Sequence, residues 1–332
     1  MREPAFWWRE TGFTADMLAP LGSIYGAIAA RRMSLHGAQA GVPVICVGNF
    51  TLGGAGKTPT VMMLARALAD TGARPFCLSR GYGGNVLGPK LVDAHKDNAA
   101  QVGDEPILIA HVAPVVVARD RAAGAAYARA QGADIIVMDD GLQNPSLTKD
   151  FSLAVVDARR GVGNGRTFPA GPLRAPLGAQ IERTDGLLVV GDGGNAEGVA
   201  EQCRARKLPI FHGRLVPDPA AVASLKGRQV LAFAGIGDPA KFFATALEAG
   251  ISVTQRRAFA DHHRYTAEEA AELIMQAEHN GLALLTTEKD HARMIGEPLL
   301  EALASRAHTL GVTMFVKEAD ELLRLLRSKL RR

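Results

Sequence analysis

The chain has 332 residues, of which 47% are hydrophobic and 22% charged. That balance excludes intrinsic disorder and a collagen-like fibre, and the length suits two domains with a sizeable core. The formal net charge of +4 comes without an evident clustered basic face, so nucleic acid is not expected as a partner.

Glycine accounts for 36 residues, which points to tight turns and close backbone approaches. Of the basic residues, ten are Lys and 28 are Arg, the side chain that grips phosphates and carboxylates with a two-pronged fork. Cys46, Cys77 and Cys203 form no CxxC pair, so neither a disulfide framework nor a zinc site is expected.

No signal peptide is expected, because residues 1–10 (MREPAFWWRE) are charged and lack an apolar core. Residues 15–30 are mostly apolar but include Asp16, Pro20 and two glycines. A spanning helix needs about 20 apolar residues, so none is expected here. Phe6, Trp7 and Trp8 lie between Arg2 and Arg9, a pattern suited to a membrane interface. Capping of the first domain's core is the other reading. Residues 1–40 are taken as an amphipathic, apolar helical start to the core domain.

Short apolar runs then alternate with helical spacing. Strands are expected at 42–47, 74–79, 114–118, 134–138, 153–157 and 186–191, with helices at 58–69 and 119–131. Pro217, Asp218 and Pro219 mark a boundary within 216–227. A second series follows, with strands at 229–234, 252–258, 282–286 and 312–316, helices at 239–249 and 266–278, and a C-terminal helix. The expected fold class is α/β: a three-layer P-loop NTPase-type core with a mostly parallel sheet over 41–222, and a smaller C-terminal α/β lobe over 223–332.

Residues 48–59, GNFTLGGAGKTP, follow the first strand and open a helix, the context a phosphate-binding loop requires. Thr51, Leu52, Gly53, Gly54, Ala55, Gly56, Lys57, Thr58 and Pro59 would wrap a polyphosphate with backbone N–H groups and a helix N-terminus. Lys57 would reach the β and γ phosphates, and Thr58 would bind Mg²⁺. Thr51 stands where the usual pattern has its first Gly. Asp139 and Asp140, ending an apolar strand, suit a Walker B carboxylate for Mg²⁺. No Asn-Lys-x-Asp occurs, and Leu52 replaces the Lys of partitioning-type ATPases, so ATP is the expected donor.

The acceptor side has its own candidates. Asp104 and Glu105 open an apolar helical stretch, as an N-cap or as a general base with a metal-binding partner. Asp261, His262 and His263 form a loop in which imidazole can accept or relay a proton. Arg80, Arg119 and Arg174 follow strands or lie in loops, where anionic ligands bind in open α/β sheets.

Together these pieces resemble one family, the tetraacyldisaccharide 4'-kinases of lipid A synthesis. The resemblance rests on residues 48–59, SRGYGG (79–84), VGDEP (102–106), DDGLQ (139–143), PAGPLR (169–174), FADHHRY (259–265) and TTEKD (286–290). It implies a peripheral enzyme of the inner membrane's cytoplasmic face. It implies transfer of the ATP γ-phosphate to the 4'-hydroxyl of a tetraacylated glucosamine disaccharide 1-phosphate, with no obligatory protein partner. On that reading Lys57 binds ATP, and Asp104 is the base, paired with a His262 that swings in from the second lobe. Thr58, Glu105 and Asp139 hold Mg²⁺. Arg80, Tyr82, Arg119, Asp140, Gln143 and Arg174 contact the acceptor or transferred phosphate. The acyl chains meet the N-terminal segment. One departure is visible: Ala175 stands where the resemblance leads one to expect Glu.

Overall fold

A computed structural model describes residues 3–330, so Arg2 lies outside the described residues. Its strands are β1 (Val44–Gly48), β2 (Pro75–Ser79), β3 (Lys90–Leu91), β4 (Val115–Val117), β5 (Ile135–Asp139), β6 (Phe151–Asp157), β7 (Gly186–Val190), β8 (Ile210–Pro217), β9 (Gln229–Ala234), β10 (Ser252–Ala258), β11 (Ala283–Thr287), β12 (Ala307–Leu310) and β13 (Val312–Val316). Nine form one sheet in the order β13-β8-β7-β6-β1-β5-β2-β4-β3. Neighbours are parallel except at the two edges, where β13 and β3 run antiparallel.

Each central strand buries both faces, which is why the sequence shows continuous apolar runs. In β1, Ile45 and Val47 pack with Leu64 and Leu68 of helix Lys57–Ala69, while Val44 and Cys46 pack toward Ala125 and Ala128 of helix Arg121–Ala130. The three cysteines are free and buried, and burial pushes the Cys46 thiol up to about 11.

The second sheet, β10-β9-β11-β12, is parallel and forms the small lobe. The expected boundary needs one correction. β13 leaves that lobe and pairs with β8, and Leu322 and Leu326 of the C-terminal helix Ala319–Leu330 bury in the core beneath the large sheet. The last segment therefore completes the large layer, where its apolar face is buried. β8 was not expected; much of it is only half-buried, so it carries no continuous apolar run.

The N-terminal segment also differs from expectation. Its helix is Phe13–Met33, 21 residues through Pro20 and both glycines, long and apolar enough to cross a membrane by length and composition. Yet it lies against the core on a small-residue face. A Cβ at Gly22 would sit 2.8 Å from the Thr167 carbonyl oxygen, and the Thr167 hydroxyl donates to the Gly22 carbonyl at 2.6 Å. Phe13, Met17, Leu21, Ile24 and Ile28 face outward. Of the two readings of the tryptophans, Trp7 fits core capping: it is buried and its indole N–H donates to the Pro169 carbonyl at 3.1 Å. Trp8 donates to Glu3 at 3.0 Å beneath the Arg160 guanidinium. The tryptophans therefore cap the core, and the helix carries the apolar surface.

Trp7→Ala should lower the unfolding free energy by about 3 kcal/mol, as emptying a buried aromatic site does. Ile24→Ser, on the outward face, should change it by less than about 0.5 kcal/mol. Denaturant titration checks both, and equal losses would contradict the two-face assignment.

Candidate active site

The phosphate loop hangs between β1 and helix Lys57–Ala69. Gly53 and Gly56 sit at φ of 96° and 95°, conformations a side chain would strain, and Gly56 caps the helix. A Cβ on Gly53 would also collide with the Glu3 carboxylate, which Arg160 holds at 2.7 Å. Thr51 is extended and bridges Leu173, so that position does not need the missing glycine. The loop is fixed by its neighbours: Leu52 N–H donates to Pro172 O at 2.8 Å, and Arg174 Nε to Thr51 O at 2.9 Å.

Lys57 is buried, which lowers its pKa, and its ammonium lies 3.7 Å from Asp140 Oδ1. Arg174 Nη1 donates to both Asp140 carboxylate oxygens at 2.9 Å. Burial works against the charged Asp140, but these two cations outweigh it and hold the carboxyl down to about 2. Asp139, at the end of β5, has the opposite balance. Burial, Glu105 and Asp140 push it up to about 7, and its Oδ1 has no hydrogen-bond partner among the described residues. Thr58 Oγ1 donates to Glu105 Oε1 at 3.5 Å.

Asp104 and Glu105 open helix Asp104–Ala110 after Gly103, at φ 92°. A Cβ at Gly103 would lie 2.6 Å from the Tyr82 carbonyl oxygen, so glycine is what lets the 79–84 loop pack there. Asp104 is 3% exposed. The small lobe faces it. His262 Nδ1 stands 3.5 Å from Asp104 Oδ2, and Arg293 Nε donates to the same oxygen at 2.8 Å. Burial would raise the Asp104 pKa, but His262 and Arg293 overcome it and hold the carboxyl far below its usual range. Burial lowers the His262 pKa, Asp104 raises it, and the net shift is upward. Lys289 Nζ donates to Glu105 Oε1 at 2.6 Å. Other contacts along the lobe seam join Arg159 and Arg160 to Asp238, Lys241 to Asp157, and Arg264 to the Gly83 carbonyl.

The structure thus brings Lys57, Thr58, Asp104, Glu105, Asp139, Asp140 and His262 to one seam. His262 faces Asp104 across the seam in this structure. Two expected acceptor contacts have internal duties instead. Arg174 is committed to Thr51 and Asp140, and Gln143 Nε2 donates to Asn49 O at 2.7 Å and Gln180 Oε1 at 2.6 Å. Arg80 and Arg119 are exposed, and Tyr82 is exposed with its ring 4.8 Å from that of His262. His263 is occupied by Glu269 at 2.7 Å and stacks on Phe259. Ala175 is fully buried and leaves no room for a solvated Glu. Sequence reasoning assigned no role to Lys289 and Arg293. Their four-residue spacing, with Lys289 inside the TTEKD segment and Arg293 just after it, places both on one helix face and was the available signal.

Lys241 offers a pH test of the seam. Burial disfavours the charged Asp157, but Lys241 and two backbone N–H donors lower its pKa overall. A carboxyl depressed on folding stabilises the protein above its unfolded pKa of about 3.9, and that contribution fades as pH falls through the folded value. Lys241→Met should therefore lower Tm at pH 7, and the gap to wild type should narrow below about pH 4. A gap that widens on acidification would contradict this linkage.

Comparison with known proteins agrees with the geometry. The model of the tetraacyldisaccharide-1-P 4'-kinase family matches residues 14–331. A tetraacyldisaccharide 4'-kinase of Rhodopseudomonas palustris (strain BisB5) is 56% identical over 326 residues, covering 98% of this chain and 96% of that one. One from Nitrobacter winogradskyi is 54% identical over 314 residues, covering 95% and 93%. The crystal structure of LpxK from Aquifex aeolicus in complex with ATP superposes with a TM-score of 0.71 at 27% identity, covering 96% of this chain and 100% of that one. The chain belongs to the tetraacyldisaccharide-1-P 4'-kinase family.

Proposed function

We propose that the chain transfers the γ-phosphate of ATP to the 4'-hydroxyl of a tetraacylated glucosamine disaccharide 1-phosphate, the lipid A precursor. The observation that carries this reading is the continuous contact from the phosphate loop to the small lobe. Thr58 reaches Glu105, and the adjacent Asp104 faces His262 at 3.5 Å. The family supplies the acceptor.

Residues Thr51 to Pro59 cradle the ATP polyphosphate, with Lys57 countering charge at the transferred group. Thr58, Glu105 and Asp139 would hold Mg²⁺, which neutralises phosphate charge. The donor set fits: the contact of hydroxyl and carboxylate, and the unpartnered buried Asp139 oxygen, are the hard oxygens that ion prefers.

The Asp104–His262 pair takes the proton from the sugar hydroxyl, an unactivated alcohol. Arg293 keeps the charge of that pair balanced during transfer. The exposed Arg80, Tyr82 and Arg119 stand open to the phosphorylated acceptor. The outward face of helix Phe13–Met33 meets the acyl chains at the cytoplasmic face of the inner membrane, as a peripheral attachment.

The test is transfer of labelled γ-phosphate from ATP to the purified disaccharide precursor. Lys57→Ala and Asp104→Asn should each lower kcat by about 10²-fold or more. A wild-type protein that binds ATP but forms no lipid product would contradict the assignment. Replacing Phe13 and Ile24 together by Ser should reduce co-sedimentation with anionic phospholipid vesicles, and unchanged sedimentation would contradict the membrane face.

A further inference from the structure

The two carboxylates that open helix Asp104–Ala110 are each met by a cation from one short helix of the small lobe, Glu288–Met294. Lys289 takes Glu105 at 2.6 Å. Arg293 takes Asp104 Oδ2 through Nε at 2.8 Å and also through Nη2. Its remaining nitrogen, Nη1, donates to the Gly235 carbonyl and to Asp290 Oδ1, both at 2.8 Å. Asp290 is fully buried and is itself fixed by Gly235 N–H at 3.0 Å, the Tyr265 hydroxyl at 3.0 Å and the Thr287 hydroxyl at 2.7 Å. Arg293 is therefore a brace with one end built into the small lobe and the other on the core's Asp104, and its side chain is only 7% exposed.

We propose that Arg293 is a positioning residue for phosphoryl transfer, orienting the Asp104 carboxylate toward the acceptor across the lobe seam. The proposal rests on the kinase reading above. The other Asp104 oxygen accepts from the Glu105 backbone N–H at 3.0 Å, so Arg293 and His262 together decide where Oδ2 points. A guanidinium suits this task because it spends two donors on one carboxylate oxygen while a third nitrogen stays anchored. Lys289 repeats the arrangement one turn away with a single donor. The base is fully oriented only when the small lobe is docked, which limits wasteful attack by water when the lobes part.

The test is a double-mutant cycle with Asp104. Arg293→Met should lower kcat for lipid phosphorylation by about 10²-fold, the scale of a misplaced reacting group, and leave the KM for ATP within about threefold. Arg293→Lys, which keeps the charge, should recover part of the loss. In an Asp104→Asn background Arg293→Met should cost less than about threefold more, because the two residues act as one unit. Full multiplication of the two losses, or a kcat for Arg293→Met within threefold of wild type, would overturn the proposal. Hydrogen exchange of the amides in 99–110 needs no lipid acceptor and should quicken in Arg293→Met. Unchanged exchange also overturns the proposal. Absent wild-type transfer alongside quickened exchange would fault the kinase reading and not the brace.

Discussion

Asp104, Glu105, Asp139 and Asp140 converge beside the phosphate loop, and the fold is arranged around holding their charge. Carboxylates removed from water cost several kcal/mol each unless paired. The cations come from separate segments: Lys57 from the first helix of the core, Arg174 from the 169–174 loop, and Lys289 and Arg293 from the small lobe. Of the four carboxylates, Asp140 is thus balanced from within the core, and Asp104 and Glu105 from across the seam. Asp139 is the exception: burial, Glu105 and Asp140 outweigh the pull of Lys57 and Lys289, and its pKa rises to about 7. On the proposed kinase reading, this buried carboxylate is the one available to an incoming cation.

This charge balance helps to hold the two lobes together. The contacts between them include ion pairs and a side-chain-to-carbonyl hydrogen bond, as at Arg160–Asp238, Lys241–Asp157 and Arg264–Gly83, beside the burial of Ala292 in the large core. Polar seams of this kind can part and re-form, unlike a continuous hydrophobic core. The return of β13 to the large sheet sets the opposite constraint. Because the chain leaves the core after β8 and re-enters beside it, the small lobe is tethered at both ends to one sheet edge. Its freedom is that of a hinged insertion.

The core was largely legible in the sequence because parallel strands buried on both faces write uninterrupted apolar runs, as at Val44–Gly48 and Ile135–Asp139. The phosphate loop was legible because a strand, a glycine-rich turn and a helix follow one another without a gap. The edges were not. β8 is only half-buried, and β13 carries nothing local to say which sheet it joins; its partner lies 95 residues earlier at Pro217↔Val312. Arg174 and Gln143 illustrate the same limit at the site. Loop position suggested ligand contacts, whereas both brace the phosphate loop through partners distant in sequence. The tryptophans left two readings open because paired aromatics beside arginine suit a core cap as well as an interface, and burial of Trp7 decides for the cap.

We propose that one phosphoryl group passes directly from ATP on the phosphate loop to a hydroxyl activated at Asp104, with no covalent enzyme intermediate. The measurement that tests it most directly is the stereochemical course of transfer from ATP made chiral at the γ-phosphorus with oxygen isotopes. A single in-line displacement predicts inversion at phosphorus in the lipid product. Retention, the mark of two successive displacements through a phospho-enzyme, would contradict the account.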